Sequence, residues 1–373
     1  GCSLIPWTIG NGIMPLLPVY AGKLGASSAE SGAYLAIAYV AITLGALSAS
    51  WVSGRLGRKG PLAAVGLLAV PLTWLTGQVT NLWQLTAVTA ALWLLGGMGF
   101  ALTSILAGLC ARPEERGRVF GVLSMSGPVG ALIGGLAAGP MVDGWGFAAM
   151  FLAFALAALA WPVMALLVKD MRIDRPGSEK RASSEPPPAL GGMFWLLFTA
   201  SLVVMVANMA GVLGRSLVMD NLGFSAAAIS GTGAVGGLVS LPFGLLAGVL
   251  SDRLGRKGLL AFGFLASALG LVVLIFAAEL WHFWLAISLV TVQNAVSGAV
   301  GSALVADLVP RGALGKGMAL FSATGWLGGV LGFAAVGVAI QAAGFAATFL
   351  GAALLALAAT GMLLGMRVGK TGG

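Results

Sequence analysis

Leu56-Gly57-Arg58-Lys59-Gly60 is written again, 198 residues on, as Leu254-Gly255-Arg256-Lys257-Gly258. The same shift lays Leu24-Gly25-Ala26-Ser27 on Leu222-Gly223-Phe224-Ser225, and Gly146-Phe147-Ala148-Ala149 on Gly344-Phe345-Ala346-Ala347. Gly127, Gly130, Gly134 and Gly139 fall on Gly325, Gly328, Gly332 and Gly337 without a gap. The chain is one helical plan written twice. Apolar halves duplicated in this way suit membrane machines in which two similar bundles rock about a site held between them.

Composition puts the plan in a bilayer. With 59% hydrophobic residues, 9% charged ones and a mean hydropathy of +1.00, the chain has too little polar surface to enclose a soluble core. Its apolar runs have the length of spanning helices, about 20 residues, rather than of barrel strands. Twelve are predicted, helices 1 to 12: roughly 1–22, 31–53, 60–80, 83–111, 117–140, 147–168, 192–217, 226–250, 258–278, 282–307, 315–340 and 345–366. The expected fold is all-α and integral to the membrane, with two six-helix bundles related by a pseudo-two-fold axis. The bundles are 1–168 and 192–373. Between them, 169–191 carries Arg175-Pro176-Gly177-Ser178 and Pro186-Pro187-Pro188 and reads as a cytoplasmic linker.

Basic residues in short loops stay on the cytoplasmic side. Of the 20 Lys and Arg residues, all but Lys23 and Arg215 lie in one set of alternate loops, the linker or the tail. Both termini are therefore expected in the cytoplasm, with the cytoplasmic (inner) membrane as the location. The opposite loops carry Glu30, Asp143, Asp220, Glu279 and the one histidine, His282. Membrane topology accounts for the net charge of +8, and no nucleic-acid partner is called for. Residue 1 is Gly rather than Met and maps onto Thr199, inside helix 7, so helix 1 is expected to lack its opening turns, and no cleaved leader is expected. Cys2 and Cys110 fall near the reducing side and imply no disulfide.

The loop between helices 8 and 9 runs Gly248-Val249-Leu250-Ser251-Asp252-Arg253-Leu254-Gly255-Arg256-Lys257-Gly258-Leu259-Leu260. It resembles motif A of the major facilitator superfamily of secondary transporters, a resemblance that extends over essentially the whole chain. The glycine turn reverses the chain. The basic cluster faces headgroups and helix ends, and Asp252 is expected to latch against the positive N-terminus of helix 5 at Gly117-Arg118, breaking away when the protein opens inward. The first-half copy keeps Arg55, Gly57, Arg58 and Lys59 but has Ser50 and Gly54 where the leading glycine and the aspartate belong. Helix 5 carries Gly127-Pro128 and Gly134-Gly135, similar to the family's motif C, which implies the branch that exports drugs or metabolites. A mid-helix proline frees a carbonyl and bends the helix. Helix 4 has Trp93 where motif B exporters place an arginine, and no carboxylate falls at mid-membrane, so the usual proton-exchange residues are missing. Asp252 and Asp307, at the cavity edge, are the places left for a coupling proton. The alternative is uniport.

Gly231-Thr232-Gly233-Ala234-Val235-Gly236 fits a dinucleotide fingerprint but lies in an apolar helix with no strand before it. No metal cluster, cofactor site or nucleophile with a base can be assembled, which argues against an enzyme. The resemblance implies that helices 1, 4, 7 and 10 line a cavity and that the protein is a monomer. The polar candidates there are Asn11, Asn208, Gln293 and Asn294, near mid-membrane, with Trp93 as a stacking surface. Arg215 is expected at the outer end of helix 7, snorkelling to headgroups, drawing in an anionic substrate or pairing with Asp220 as a gate. The reading is an alternating-access exporter of small, rather apolar organic molecules. An importer or uniporter of a neutral or anionic metabolite is the alternative, and a receptor or scaffold that no longer transports is more remote.

Overall fold

The computed structural model describes residues 2–111, 115–168 and 189–366, apart from the side chains at 116, 117, 245, 252, 254 and 311. Among these there is no strand. Helix 1 is two pieces, Leu4–Ile13 and Leu17–Lys23. Helices 2, 3 and 4 are Ser28–Leu56, Lys59–Thr76 and Leu82–Cys110. Helix 5 starts as Arg116–Ser124, is interrupted at Met125, and continues into Ser126–Ala158, which Gly146 folds back to begin helix 6. Ala160–Leu167 completes helix 6. Helix 7 comprises Gly192–Met209, a π-helical turn Ala210–Gly214, and Arg215–Asn221. Helices 8 and 9 are Ala226–Leu254 and Arg256–Ile275. Helix 10 comprises Leu280–Val296, a π turn Ser297–Gly301, and Ser302–Leu308. Gly344 divides Leu314–Gly365 into helices 11 and 12.

Nine helical stretches among the described residues are long and apolar enough to cross a bilayer. Two of them, Arg118–Leu167 and Leu314–Gly365, are bent double at Gly146 and Gly344 and so cross twice, and the two pieces of helix 1 add one more crossing. Exposed Leu, Phe and Val side chains cover the outside, with exposed Trp83, Trp145 and Trp281 at one end and Trp51 at the other. That is the girdle expected where helix ends meet headgroups.

The repeat survives in the backbone. Among the described residues, all those with positive φ are glycines in three pairs spaced by 198: Gly25 and Gly223 (85° and 77°), Gly57 and Gly255 (77° and 78°), Gly146 and Gly344 (81° and 78°). Gly146 and Gly344 combine that φ with ψ of 173° and 175°, a region open only to glycine. Gly146→Ala is expected to cost about 1–3 kcal/mol, read as a lower melting temperature in detergent. Helix 1 breaks where helix 7 has its π turn, since Met14 to Leu16, around Pro15, correspond to Val212 to Gly214. Pro15 removes a donor from the ladder in the first half, and the second half absorbs the irregularity as a wider turn.

The bundles meet along helices 2 and 11 and along helices 5 and 8. A methyl added at Gly337 would lie 2.6 Å from the Ser28 carbonyl oxygen, and one at Gly135 would lie 2.6 Å from the Ala234 nitrogen. At Gly237 it would lie 2.5 Å from the Pro128 carbonyl. Small residues let these backbones touch. Polar contacts reinforce them. Ala226 and Ala227 donate their N–H groups to Asp143 at 2.8 Å each, Ala29 donates to Gln341 at 3.2 Å, and the Ser230 hydroxyl sits between the Gly135 carbonyl and the Gly139 N–H. Apart from the Gly237–Pro128 contact, which lies near the middle of both helices, these contacts belong to the half of the molecule nearer the acidic loops. Further along the same helices, toward the basic loops, a methyl on Gly54, Gly121, Gly244, Gly248 or Gly315 would meet nothing within 4 Å. Among the described residues, the hydrogen bonds that join the two bundles all lie toward the acidic-loop end, and none joins them toward the basic loops.

Candidate functional site

A cavity of about 510 Å³ lies between the bundles. Helix 1 lines it from Pro6 to Met14, helix 4 with Trp93, Gly96 and Phe100, helix 7 with Met205, Met209 and Val212, and helix 10 with Asn294. Tyr39, Trp161 and Trp326 complete an aromatic wall. None of the lining residues is charged. Tyr39 joins the halves: its ring lies 5.5 Å from Trp93 in its own bundle, and 6.1 Å and 5.1 Å from Trp326 and Phe333 in the other. Trp7 stacks on Phe100 at 4.5 Å. Trp161 is wedged against Gly99, where any side chain would collide with the indole, and lies beside Gly66, where a methyl would press on Pro162. Such a wall attracts flat, apolar molecules by burial and stacking.

Of the six cavity candidates, Asn11, Trp93 and Asn294 line this space. Asn11 is held by a hydrogen bond from its amide to the Gly127 carbonyl at 3.1 Å, so motif C orients a cavity residue. Asn208 and Gln293 do not face it in this conformation. They form a buried chain inside the second bundle: the Ser267 hydroxyl donates to Asn208, Asn208 donates to Gln293 at 2.6 Å, and Gln293 donates to Ser297 at 2.7 Å. An amide in hydrocarbon must find partners, and these find each other across helices 9, 7 and 10. Both π turns sit beside the chain, one two residues after Asn208 and the other opening at Ser297. Asn208→Ala is expected to cost about 1 kcal/mol of stability, read by thermal unfolding, with little change in substrate affinity. Arg215 also departs from expectation. It is buried, 3% exposed, outside the cavity lining, and among the described residues its Nε and Nη1 have no hydrogen-bond partner, so it does not snorkel and is not seen paired with Asp220 in this state.

The two helix 5 glycines of motif C divide their work. Gly134 packs against Gly12 of helix 1 within its own bundle, and its neighbour Gly135 packs against Ala234 of helix 8 in the other. Pro128 lies three residues past the interruption at Met125, as the loss of its N–H dictates. In the loop between helices 8 and 9, Arg256 pairs with Asp307 at 2.6 Å and also donates to the Ala303 carbonyl at 2.9 Å. Lys257 donates to the carbonyls of Leu364 and Met366 at the end of helix 12. Gly248 and Arg253 are exposed. The first-half copy has lost more than its aspartate. The counterpart of Asp307 is Leu109, and the Arg58 Nε is buried with no partner among the described residues, while Arg55 lies 4.4 Å over the Trp51 ring. The latch expected between Asp252 and Gly117-Arg118 falls outside the described residues, as does the linker up to residue 188.

Several parts of the site escaped the sequence reading: Tyr39, Trp326, Trp161 and the methionines of the cavity wall, and Asp143, Ser230 and Gln341 at the closed end. The repeat does hold one signal, since Asp143 and Gln341 stand 198 residues apart. Among the described residues no group of three potential metal ligands occurs.

Comparison with known proteins agrees with this geometry. Multidrug resistance protein MdtG of Serratia proteamaculans (strain 568) is 30% identical over 287 residues, which span 72% of this chain and 68% of that protein. MdtG of Citrobacter koseri is 29% identical over 291 residues, 72% of this chain and 69% of that protein. The fold is shared with a POT family transporter crystallised with 5-aminolevulinic acid, at 14% identity and a TM-score of 0.81 over 97% of this chain and 94% of that one. It is also shared with a bacterial homologue of the human lysosomal transporter Spinster in an inward-facing, occupied conformation, at 13% identity and a TM-score of 0.80 over 97% and 94% of the two chains. The sequence profile described as Major Facilitator Superfamily matches residues 2–215 and again 196–371, one match to each half of the repeat. The chain belongs to the Major Facilitator Superfamily.

Proposed function

We propose that this protein exports small, rather apolar organic molecules across the cytoplasmic membrane by alternating access, with both termini and the basic loops in the cytoplasm. The observation that carries the reading is the cavity wall: aromatic rings, methionines and two amides, with no charged side chain. Its relatives MdtG are named for multidrug resistance, which fits such a wall. Under this orientation the conformation described above is inward-facing, loaded from the cytoplasm or the inner leaflet. An anionic cargo would need a cation at the wall, and Arg215 is not there. A proton is the proposed coupling ion. Asp307, already tied to Arg256 at the edge, and Asp252 are where its carrier is to be sought. A single copy holds the whole cavity, which supports a monomer as the working unit.

The test is accumulation of a fluorescent lipophilic cation in efflux-deficient bacteria expressing the chain, with and without a protonophore. Lower accumulation that the protonophore abolishes is the expected result. Unchanged accumulation, with the protein shown to be in the membrane, would defeat the export reading.

A further inference from the structure

The two halves close their acidic ends differently. In helix 2, the N-terminus is capped from within: Ser27 accepts from the Glu30 N–H, and the Glu30 carboxylate accepts in return from the Ser27 N–H at 2.8 Å. Its neighbour across the bundle boundary is neutral, since Gln341 accepts the Ala29 N–H. In helix 8 the assignments are exchanged. Position 228, which corresponds to Glu30, is Ala228, and the first turn holds no acidic residue. Ser225 satisfies the Ala228 N–H, and the N–H groups of Ala226 and Ala227 both go to Asp143 of the other bundle. The anion that helix 2 supplies for itself, helix 8 takes from helix 5.

Asp143 is poorly placed for its own helix. It lies in the last turn of helix 5, just before the break at Gly146, where the negative end of the helix dipole disfavours a carboxylate. It becomes favourable only against another helix's N-terminus. The same holds at the opposite end of the same pair. Helices 5 and 8 run antiparallel, and Asp252 lies in the last turn of helix 8, on the side where helix 5 begins.

We propose that Asp143 is a latch for the outward side, reciprocal to Asp252: each of helices 5 and 8 caps the other's N-terminus, at opposite ends of one interface and in opposite transport states. In the state described here the Asp143 cap is made. Swinging to the outward-open state breaks two charge-assisted hydrogen bonds and withdraws Ser230 from between Gly135 and Gly139. The Asp252 cap can then form on the cytoplasmic side, so one latch is exchanged for the other and neither state is left as a trap. The inference rests on the alternating-access reading, but not on the identity of the cargo.

Distances between spin labels test it without any transport assay. Labels at Thr80→Cys and Phe276→Cys, both exposed at the acidic end and outside the interface, report its opening when Cys2 and Cys110 are replaced by Ser. Asp143→Asn is expected to raise the outward-open to inward-open ratio roughly five- to tenfold. Asp252→Asn should move it the other way, and the double variant should return near the starting ratio. Ala228→Glu placed on Asp143→Asn gives helix 8 its own cap, as in helix 2, but no bond across the boundary, so the outward-open excess should persist. Restoration of the starting ratio by Ala228→Glu would reduce Asp143 to a helix cap and overturn the proposal. Unchanged distances in Asp143→Asn would overturn it as well.

Discussion

Gly139→Ala is expected to abolish export while leaving the protein folded and in the membrane. A methyl at this position collides in the present state with the Ala226 carbonyl oxygen, the Ala227 Cα and the Ser230 hydroxyl. Two of these are backbone atoms of helix 8, so no side chain can turn aside. Because they belong to the opposite bundle, the collision vanishes once the acidic ends separate. The substitution therefore penalises one conformation rather than the fold, and the protein should rest outward-open. The spin-label pair should show a long distance at nearly full occupancy, and export should fall to background. Gly361→Ala, at an exposed position of helix 12 where nothing lies within 4 Å, is the matched control and should transport normally. Loss of membrane abundance in Gly139→Ala alone would mean that the contact matters for folding instead.

Trp93→Ala should weaken binding of an aromatic substrate roughly three- to tenfold, the worth of one well-placed aromatic contact. Trp93 lines the cavity and leans on Tyr39, so its loss also frees the ring that spans the two bundles. An aliphatic substrate of equal size should lose less. Tryptophan-fluorescence titration of the purified protein, compared for a flat aromatic and a branched aliphatic ligand, reads the difference. Equal loss for both would make Trp93 bulk rather than a stacking surface.

Duplication, hydropathy and three glycine turns made the helical plan legible, since each answers to a strong local rule: lipid demands long apolar runs, and positive φ demands glycine. Asn11, Trp93 and Asn294 line the cavity, and for the two amides the sequence signal is a polar residue at mid-membrane on a lining helix, which has few uses. Asn208 and Gln293 met the same criterion and answered a different need, hydrogen bonding each other across helices 7 and 10. Depth along a helix is readable from residue counts, whereas rotation about its axis is not, and the π turn beside Asn208 shifts that rotation further. Arg215 shows the same limit, as counting placed it at the interface while the bundle buries it. In the sequence Asp143 looks like a loop charge, because its partners are backbone N–H groups 83 and 84 residues away, which carry no signature in sequence.

The central claim, that this chain by itself moves apolar organic molecules by alternating between two states, is tested most directly in vesicles containing no other protein. Proteoliposomes loaded with acidic buffer and diluted into neutral buffer with a fluorescent lipophilic cation should accumulate the dye in exchange for protons. They should do so faster than vesicles carrying Gly139→Ala and should stop when a protonophore is added. Dye entry no faster than with the Gly139→Ala protein, at equal amounts of reconstituted chain, would contradict the account.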